Sequence, residues 1–409
     1  MQEPRSGALF PRVTAPTRPR GYGGVVLVER MRPFTSTIFA EMSALALRTG
    51  AINLGQGFPD TDGPPSLLAD AAANITGGLN QYPPGPGVPA LRAAVAEHQA
   101  RFHGLDVDPE HVLVTTGATE AIAAAVLALC EPGDEVVTFQ PYYDSYAATV
   151  ALAGATLRAV PLRPPHFGPD PAELRAAFGP RTRVVLLNTP HNPTGAVFTT
   201  EQLALVGELA AEHGAVVVSD EVYEHMVFDG ARHVPMASLP GMAERTLTIS
   251  SAGKTFSVTG WKVGWVHGPP ELVAAVRAAK QFLTYVSGAP FQPAIAAALA
   301  LPDAFYADLA SSLQRKRDLL SDGLRAAGFT VFRPAGTYFV VADAAPLGFT
   351  DGLDLCWRLP DLVGVAAVPV SVFCVDPDLG RTLVRFAFCK RDEVLAEAVS
   401  RLATLPARA

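Results

Sequence analysis

SSAGKTFSVTGWKVGW, residues 250–265, follows an apolar β-branched run and sets Lys254 in a turn of small residues, with Lys262 eight positions on. Only five of the 32 basic residues are lysine: Lys254, Lys262, Lys280, Lys316 and Lys390. A chain that uses arginine nearly everywhere a surface cation would serve keeps a lysine where an amine is needed. A guanidinium stays protonated and delocalised and cannot condense with a carbonyl. Lys254 is therefore the candidate for covalent amine chemistry.

The run feeding this turn is one of seven, at 111–115, 135–139, 156–160, 183–187, 215–219, 246–250 and 263–267. Helical patterns such as 118–130 and 200–213 separate most of them. Continuous apolar runs between helices predict an α/β domain, a mostly parallel seven-stranded sheet covered by helices on both faces, over residues 75–301. The short link between the last two runs predicts an antiparallel strand at the sheet's edge. After Pro302 a long charged helix, 303–327, precedes strands at 329–332, 337–342 and 382–388, a smaller α+β domain over 302–409. Residues 25–74 place Phe39, Met42, Leu45 and Ala46 on one helical face, which predicts an N-terminal segment packed on the smaller domain. Residues 1–24, rich in Pro, Gly and Arg without periodicity, read as a disordered extension, with the functional start near Met31.

The 409 residues carry a net charge of −7, with 49% hydrophobic and 17% charged residues. That balance describes a folded globular chain and argues against nucleic acid or an anionic membrane as the main partner. No apolar run approaches the ~18 residues a membrane helix needs. The four cysteines show no CxxC spacing and the histidines no HExxH, so neither a metal nor a disulfide framework is expected, and a cytoplasmic setting is.

Ligands of open α/β sheets gather where strands end. After 111–115 comes TGATE, a small-residue turn into a helix whose free N–H groups suit a phosphate. Tyr142 follows 135–139 as an aromatic plate, and NTPHNPTG, holding Asn192, follows 183–187. Asp220 and Tyr223 follow 215–219, and Ser251 and Lys254 follow 246–250. Each signal alone is weak. A nicotinamide needs no covalent lysine, and a Walker-type loop carries its lysine inside the glycine turn. Pyridoxal phosphate uses the whole set.

Through INLGQGFPD, NQY, NTPHNPTG, SDEVYEHMVFD, SSAGKTFSVTGWKVGW, GTYF and VRFAFCK, residues 25–405 resemble the fold-type I, class I/II pyridoxal-phosphate aminotransferases. Within them the chain is similar to the branch of kynurenine, glutamine and N-succinyldiaminopimelate transaminases. The resemblance implies that Lys254 holds the cofactor and then moves a proton, and that Asp220 pairs with its ring nitrogen. It gives Tyr223 and Asn192 to the ring oxygen, and Tyr142 to the ring face. Ala118, Thr119, Ser251 and Lys262 would take the phosphate, with Tyr82 reaching the phosphate of a partner subunit in a homodimer with shared sites. Arg385 would grip the substrate α-carboxylate, with Gly57, Phe39 and Asn192 lining the substrate side, and the Asn192–Pro193 bond would be cis. Small residues at Ser287, Gly288 and Ala289 would leave room for a long side chain.

The implied reaction moves an amino group between an L-amino acid and a 2-oxo acid, with N-succinyl-LL-2,6-diaminopimelate and 2-oxoglutarate/glutamate as the expected pair. A glutamine, methionine or kynurenine transaminase and a cysteine-conjugate β-lyase are the rivals, since the same residues serve them.

Overall fold

The computed structural model describes residues 27–405, so the extension expected at 1–24 lies outside the described residues. The larger sheet takes its strands from the seven apolar runs, and a two-residue strand, β1 (Ile52–Asn53), precedes them. The seven are β2 (Val112–Thr116), β3 (Glu135–Gln140), β4 (Thr156–Pro161), β5 (Thr182–Asn188), β6 (Val216–Asp220), β7 (Thr246–Ser251) and β8 (Val263–His267). They lie in the order β2-β8-β7-β6-β5-β3-β4. All neighbours pair in parallel except β8, which runs antiparallel to both β2 and β7. The expected antiparallel strand exists, but it is not an edge. β2 shelters its outer side, and the edges are β2 and β4.

Alternation along each strand sends side chains to two apolar cores. In β5, Val184 and Leu186 join one core with Ala121, Ala125 and Val126, while Val185 and Leu187 join the other with Leu203 and Val206. Both faces are therefore buried, as the unbroken hydrophobic runs require. The first four α-helices described are α1 (Ile38–Thr49), α2 (Pro65–Thr76), α3 (Pro89–His103) and α4 (Gly117–Leu129), of which α3 and α4 pack on this sheet.

The rest of the strands are β9 (Thr330–Phe332), β10 (Phe339–Asp343), β11 (Val365–Ala366), β12 (Val368–Pro369) and β13 (Leu383–Ala387). Four of them form an antiparallel sheet in the order β12-β13-β10-β9, while β11 pairs in parallel with β1. Met42 and Leu45 of α1 share one apolar core with Val340, Val384 and Phe386 of this sheet and with Leu320 and Leu324 of the helix Asp303–Ala326. Helix α1 thus closes onto β10 and β13, and Phe39, Phe339 and Arg385 from this joint form one wall of a cavity between the two sheets.

Candidate active site

A cavity of about 360 Å³ opens at the carboxyl ends of β5, β6 and β7, between the two sheets. Lys254 stands on its wall because β7 stops at Ser251 and one short helical turn, Ala252–Thr255, lifts the side chain off the strand end. Gly253 lets that turn lie against the following loop, where an added Cβ would meet the Thr259 Cα at 2.9 Å. The Lys254 Nζ lies 5.7 Å from the Tyr223 ring centre and 5.6 Å from that of Tyr338. Lys254 is half-buried, and burial pulls its amine down from 10.5 to about 8. A tenth of the amine is then free base near neutrality, against ~1 part in 3,000 for an ordinary lysine.

Asp220 ends β6 and faces the same cavity. Its carboxylate accepts a hydrogen bond from the Tyr146 hydroxyl at 2.6 Å. Burial pushes it up to about 6, although the Tyr146 bond favours the charged form. Among the described residues no lysine or arginine forms an ion pair with it, so a buried carboxylate is left for a cation from outside the chain.

Arg385 is fully buried in β13, where its neighbours Val384 and Phe386 point into the apolar core and alternation turns Arg385 to the cavity. It donates to the Asn192 Oδ1 at 3.0 Å and to the Gly55 carbonyl at 2.6 Å, and among the described residues its Nε has no partner. The rings of Phe339, Phe39 and Phe373 surround the guanidinium at 4.1, 5.0 and 5.4 Å. Burial draws its pKa down to about 10, so it stays cationic near neutrality. Gly57 belongs to the same wall, where an added Cβ would meet the Phe339 Cζ at 2.5 Å.

At the other end, α4 starts at Gly117 with φ 71°, presenting the N–H groups of Ala118 and Thr119. The first turn can approach β8 because residue 264 is glycine; a Cβ there would meet the Gly117 carbonyl carbon at 2.6 Å. The Lys262 Nζ would lie 3.2 Å from a Cβ on Gly117, and the Ser251 side chain faces the same end. Helix dipole, ammonium and hydroxyl together make an anion cradle. The cavity thus offers an amine, a carboxylate without a cationic partner among the described residues, a buried guanidinium and an anion cradle, and pyridoxal phosphate fits this donor set.

Ten expected residues line the cavity: Lys254, Asp220, Tyr223, Asn192, Arg385, Ser251, Lys262, Ala118, Thr119 and Phe39; Gly57 completes the group. The expectation for Tyr142 fails. Tyr142 turns into the apolar core with Ala121 and Ile122, and its backbone N–H donates to the Phe373 carbonyl at 2.8 Å. Its neighbour Tyr143 takes the cavity wall, hydrogen-bonded with Thr119. Tyr82 lies outside this chain's cavity, 81% exposed and edge-on to Tyr285. The segment Ser287–Ala289 also stays off the cavity wall, with the Ser287 Oγ accepting from the Thr116 hydroxyl at 3.0 Å. The Asn192–Pro193 bond is cis.

Sequence reading missed Tyr146 and Asn188. Asn188, the last residue of β5, donates to the Asp220 carbonyl at 2.9 Å and accepts from the Asn192 N–H at 2.8 Å, tying two cavity loops together. Its signal was its place at the strand's last position; Tyr146, six residues past the end of β3, gave none.

The sequence model of the family described as aminotransferase class I and II matches residues 49–402. A Mycobacterium tuberculosis protein described as "Probable N-succinyldiaminopimelate aminotransferase" is 56% identical over 93% of this chain and 99% of its own length. The methionine aminotransferase of Escherichia coli K12 is 42% identical, covering 90% of this chain and 96% of that protein. The solved structure of the Mycobacterium tuberculosis N-succinyldiaminopimelate aminotransferase superposes with a TM-score of 0.91 at 57% identity, covering 93% of this chain and all of that one.

Proposed function

This chain belongs to the class I and II aminotransferases, enzymes that use pyridoxal phosphate to move amino groups, and we propose that its substrate pair is N-succinyl-LL-2,6-diaminopimelate with 2-oxoglutarate, giving glutamate. The reaction class rests on one observation: Lys254, Asp220 and Arg385 converge on a single cavity. The substrate rests on the 56% identity over nearly the whole length of a relative that carries that name.

When bound, pyridoxal phosphate supplies a carbonyl for the amine and a protonated ring that draws electrons away from the substrate Cα. The chain's own groups divide the remaining work. Arg385 grips the α-carboxylate; its unpartnered Nε and flat fork suit two parallel bonds, and Asn192 and Gly55 stop it rotating. That grip fixes which face of the Cα meets Lys254. The Lys254 amine would take the Cα proton and return it to the carbon beyond the amino nitrogen, a shuttle that its pKa of about 8 suits because free base and ammonium coexist near neutrality. Asp220, held by Tyr146, would keep a proton on the ring nitrogen. Ala118, Thr119, Ser251 and Lys262 would hold the phosphate, Tyr143 would cover the ring, and Tyr223 with Asn192 would take the ring oxygen, since all of them line the cavity. Phe39, Phe339 and Phe373 exclude water around the arginine. A homodimer completes the reading, with the exposed Tyr82 reaching a partner's phosphate. Four buried free thiols suit a reducing cytoplasm.

Purified enzyme is assayed for 2-oxoglutarate-dependent turnover, read as glutamate formed, with the succinylated substrate, methionine and kynurenine in parallel. The proposal expects kcat/KM for the succinylated substrate to exceed the others by at least ~10-fold. Equal or greater turnover of methionine would assign the chain to the broad transaminases. Pyruvate release from a β-substituted cysteine without an oxo acid would assign it to the lyases.

A further inference from the structure

The turn that presents Asp220 and Tyr223 to the main cavity sends Glu221, Glu224 and His225 the other way, into a cluster no part of the reaction uses. Five of the chain's nine histidines gather there: His98 and His103 from α3, His225, His233, and His267 from β8. The two carboxylates are buried, Glu221 at 1% and Glu224 at 5% exposure, and among the described residues their ion-pair partners are imidazoles. The His98 Nε2 and His225 Nε2 face each other at 2.7 Å. The Glu224 carboxylate lies beside them, so that one ligand atom from each of the three residues falls within 4.8 Å of the others.

We propose that His98 Nε2, His225 Nε2 and a Glu224 oxygen form a site for a divalent cation of the zinc class. Two imidazole nitrogens and one carboxylate oxygen are a ligand set that zinc-class ions favour. Two nitrogens on one such ion stand ~3.3 Å apart, given Zn–N bonds of about 2.0–2.1 Å and tetrahedral angles. The His98–His225 pair therefore needs to open by a few tenths of an ångström at each ring. The surrounding shell has the features that metal sites share. The His103 Nε2 lies 2.7 Å from the Glu224 Oε2 and the Ser250 hydroxyl donates to the Oε1 at 2.6 Å, fixing the carboxylate while leaving lone pairs on both oxygens. Phe102 and Tyr306 pack against the His225 ring at 4.8 and 4.4 Å, which keeps the centre dry. A separate surface cavity of about 610 Å³ has His103 and His233 in its wall, so the cluster borders solvent on that side. The ligands come from α3 and from the turn after β6, far apart in the chain, so no spacing motif announces them. An ion there would fasten α3 to the turn that carries Asp220 and Tyr223.

The test uses the cofactor-loaded enzyme, freed of metal by chelation and then titrated with Zn²⁺ against a coloured competitor. About one equivalent per chain is expected, with a rise in melting temperature. Co²⁺ at the same stoichiometry should give the intense visible bands of a four-coordinate nitrogen–oxygen site. His98→Gln and His225→Gln should each weaken Zn²⁺ binding by at least ~100-fold, His103→Gln by ~10–100-fold as an orienting partner, and the exposed His166→Gln not at all. Uptake no greater in wild type than in His98→Gln would overturn the proposal, as would pale octahedral Co²⁺ spectra. Should the ligand variants misfold, X-ray absorption at the zinc edge of the wild-type enzyme decides. Two imidazoles and a carboxylate support the site, and any other shell refutes it.

Discussion

Replacing Lys254 by methionine should stabilise the cofactor-free protein, and the pH dependence of that gain tests the electrostatics of the site. Lys254 titrates at about 8 in the folded chain against 10.5 ordinarily, because burial penalises the ammonium. Such a depression corresponds to about 3 kcal/mol at neutral pH. Lys254 is only half-buried and its amine faces the cavity, so screening by water reduces the expected penalty to about 1–2 kcal/mol. The sign is opposite to that of a lysine stabilised by a partner. Below about pH 8 the amine is charged in both states and the folded state bears the whole penalty. Between about pH 8 and 10.5 the folded chain releases its proton first, and the penalty drains away. Urea unfolding of wild type and Lys254→Met, at matched concentration and without cofactor, should show the variant ahead near pH 7. By about pH 9.5 the lead should have fallen by more than half. A constant lead would mean that methionine merely packs better, and a less stable variant near pH 7 would mean that the amine is paired rather than desolvated. Either result would refute this account of why the lysine is reactive.

Tyr146→Phe removes the hydroxyl that donates to Asp220. A hydrogen bond to a charged group contributes about 1.5–3 kcal/mol. Cofactor affinity should therefore fall by ~10–100-fold, and its acid limb, set by Asp220 taking a proton near pH 6, should move upward by about one unit; equilibrium binding across pH checks both. Arg385→Lys keeps the charge but loses the fork, so KM for the amino acid should rise by ~100-fold with cofactor affinity unchanged, and unchanged KM would remove Arg385 from the substrate site. Gly57→Ala should press on Phe339 and disturb the arginine behind it, raising KM several-fold without moving the cofactor spectrum. Tyr82→Phe should weaken cofactor retention in a dimer, read by dialysis, while leaving sedimentation unchanged.

Lys254, Asp220 and Arg385 were legible because each stands where a pattern constrains direction: at the end of an apolar strand or between the core residues of an alternating one. Tyr142 and Tyr143 differ by one position past the end of β3 at Gln140, where alternation no longer says which ring faces the cavity. The sheet's interior reversal was half legible. A short link says that β7 and β8 pair, but only the folded chain shows that β2, from far earlier in the sequence, closes on the other side of β8. Strands of two residues, β1 and β11, carry no period at all. The histidine cluster escaped for a related reason, since its members come from helix, turn and strand and none repeats at a diagnostic interval.

That reversed strand also sets an order of events during synthesis. Val112 of β2 pairs with His267 of β8, so the helix start that offers Ala118 and Thr119 leaves the ribosome long before its companions Ser251 and Lys262 exist. At the usual pace of elongation, ~5–20 residues per second, the interval lasts roughly 7–30 seconds. Throughout it, one side of β2 lacks its hydrogen-bonding neighbour and the anion cradle has only half its parts. Cofactor capture therefore belongs to the finished chain, and completing the sheet and becoming able to hold the phosphate are the same late step.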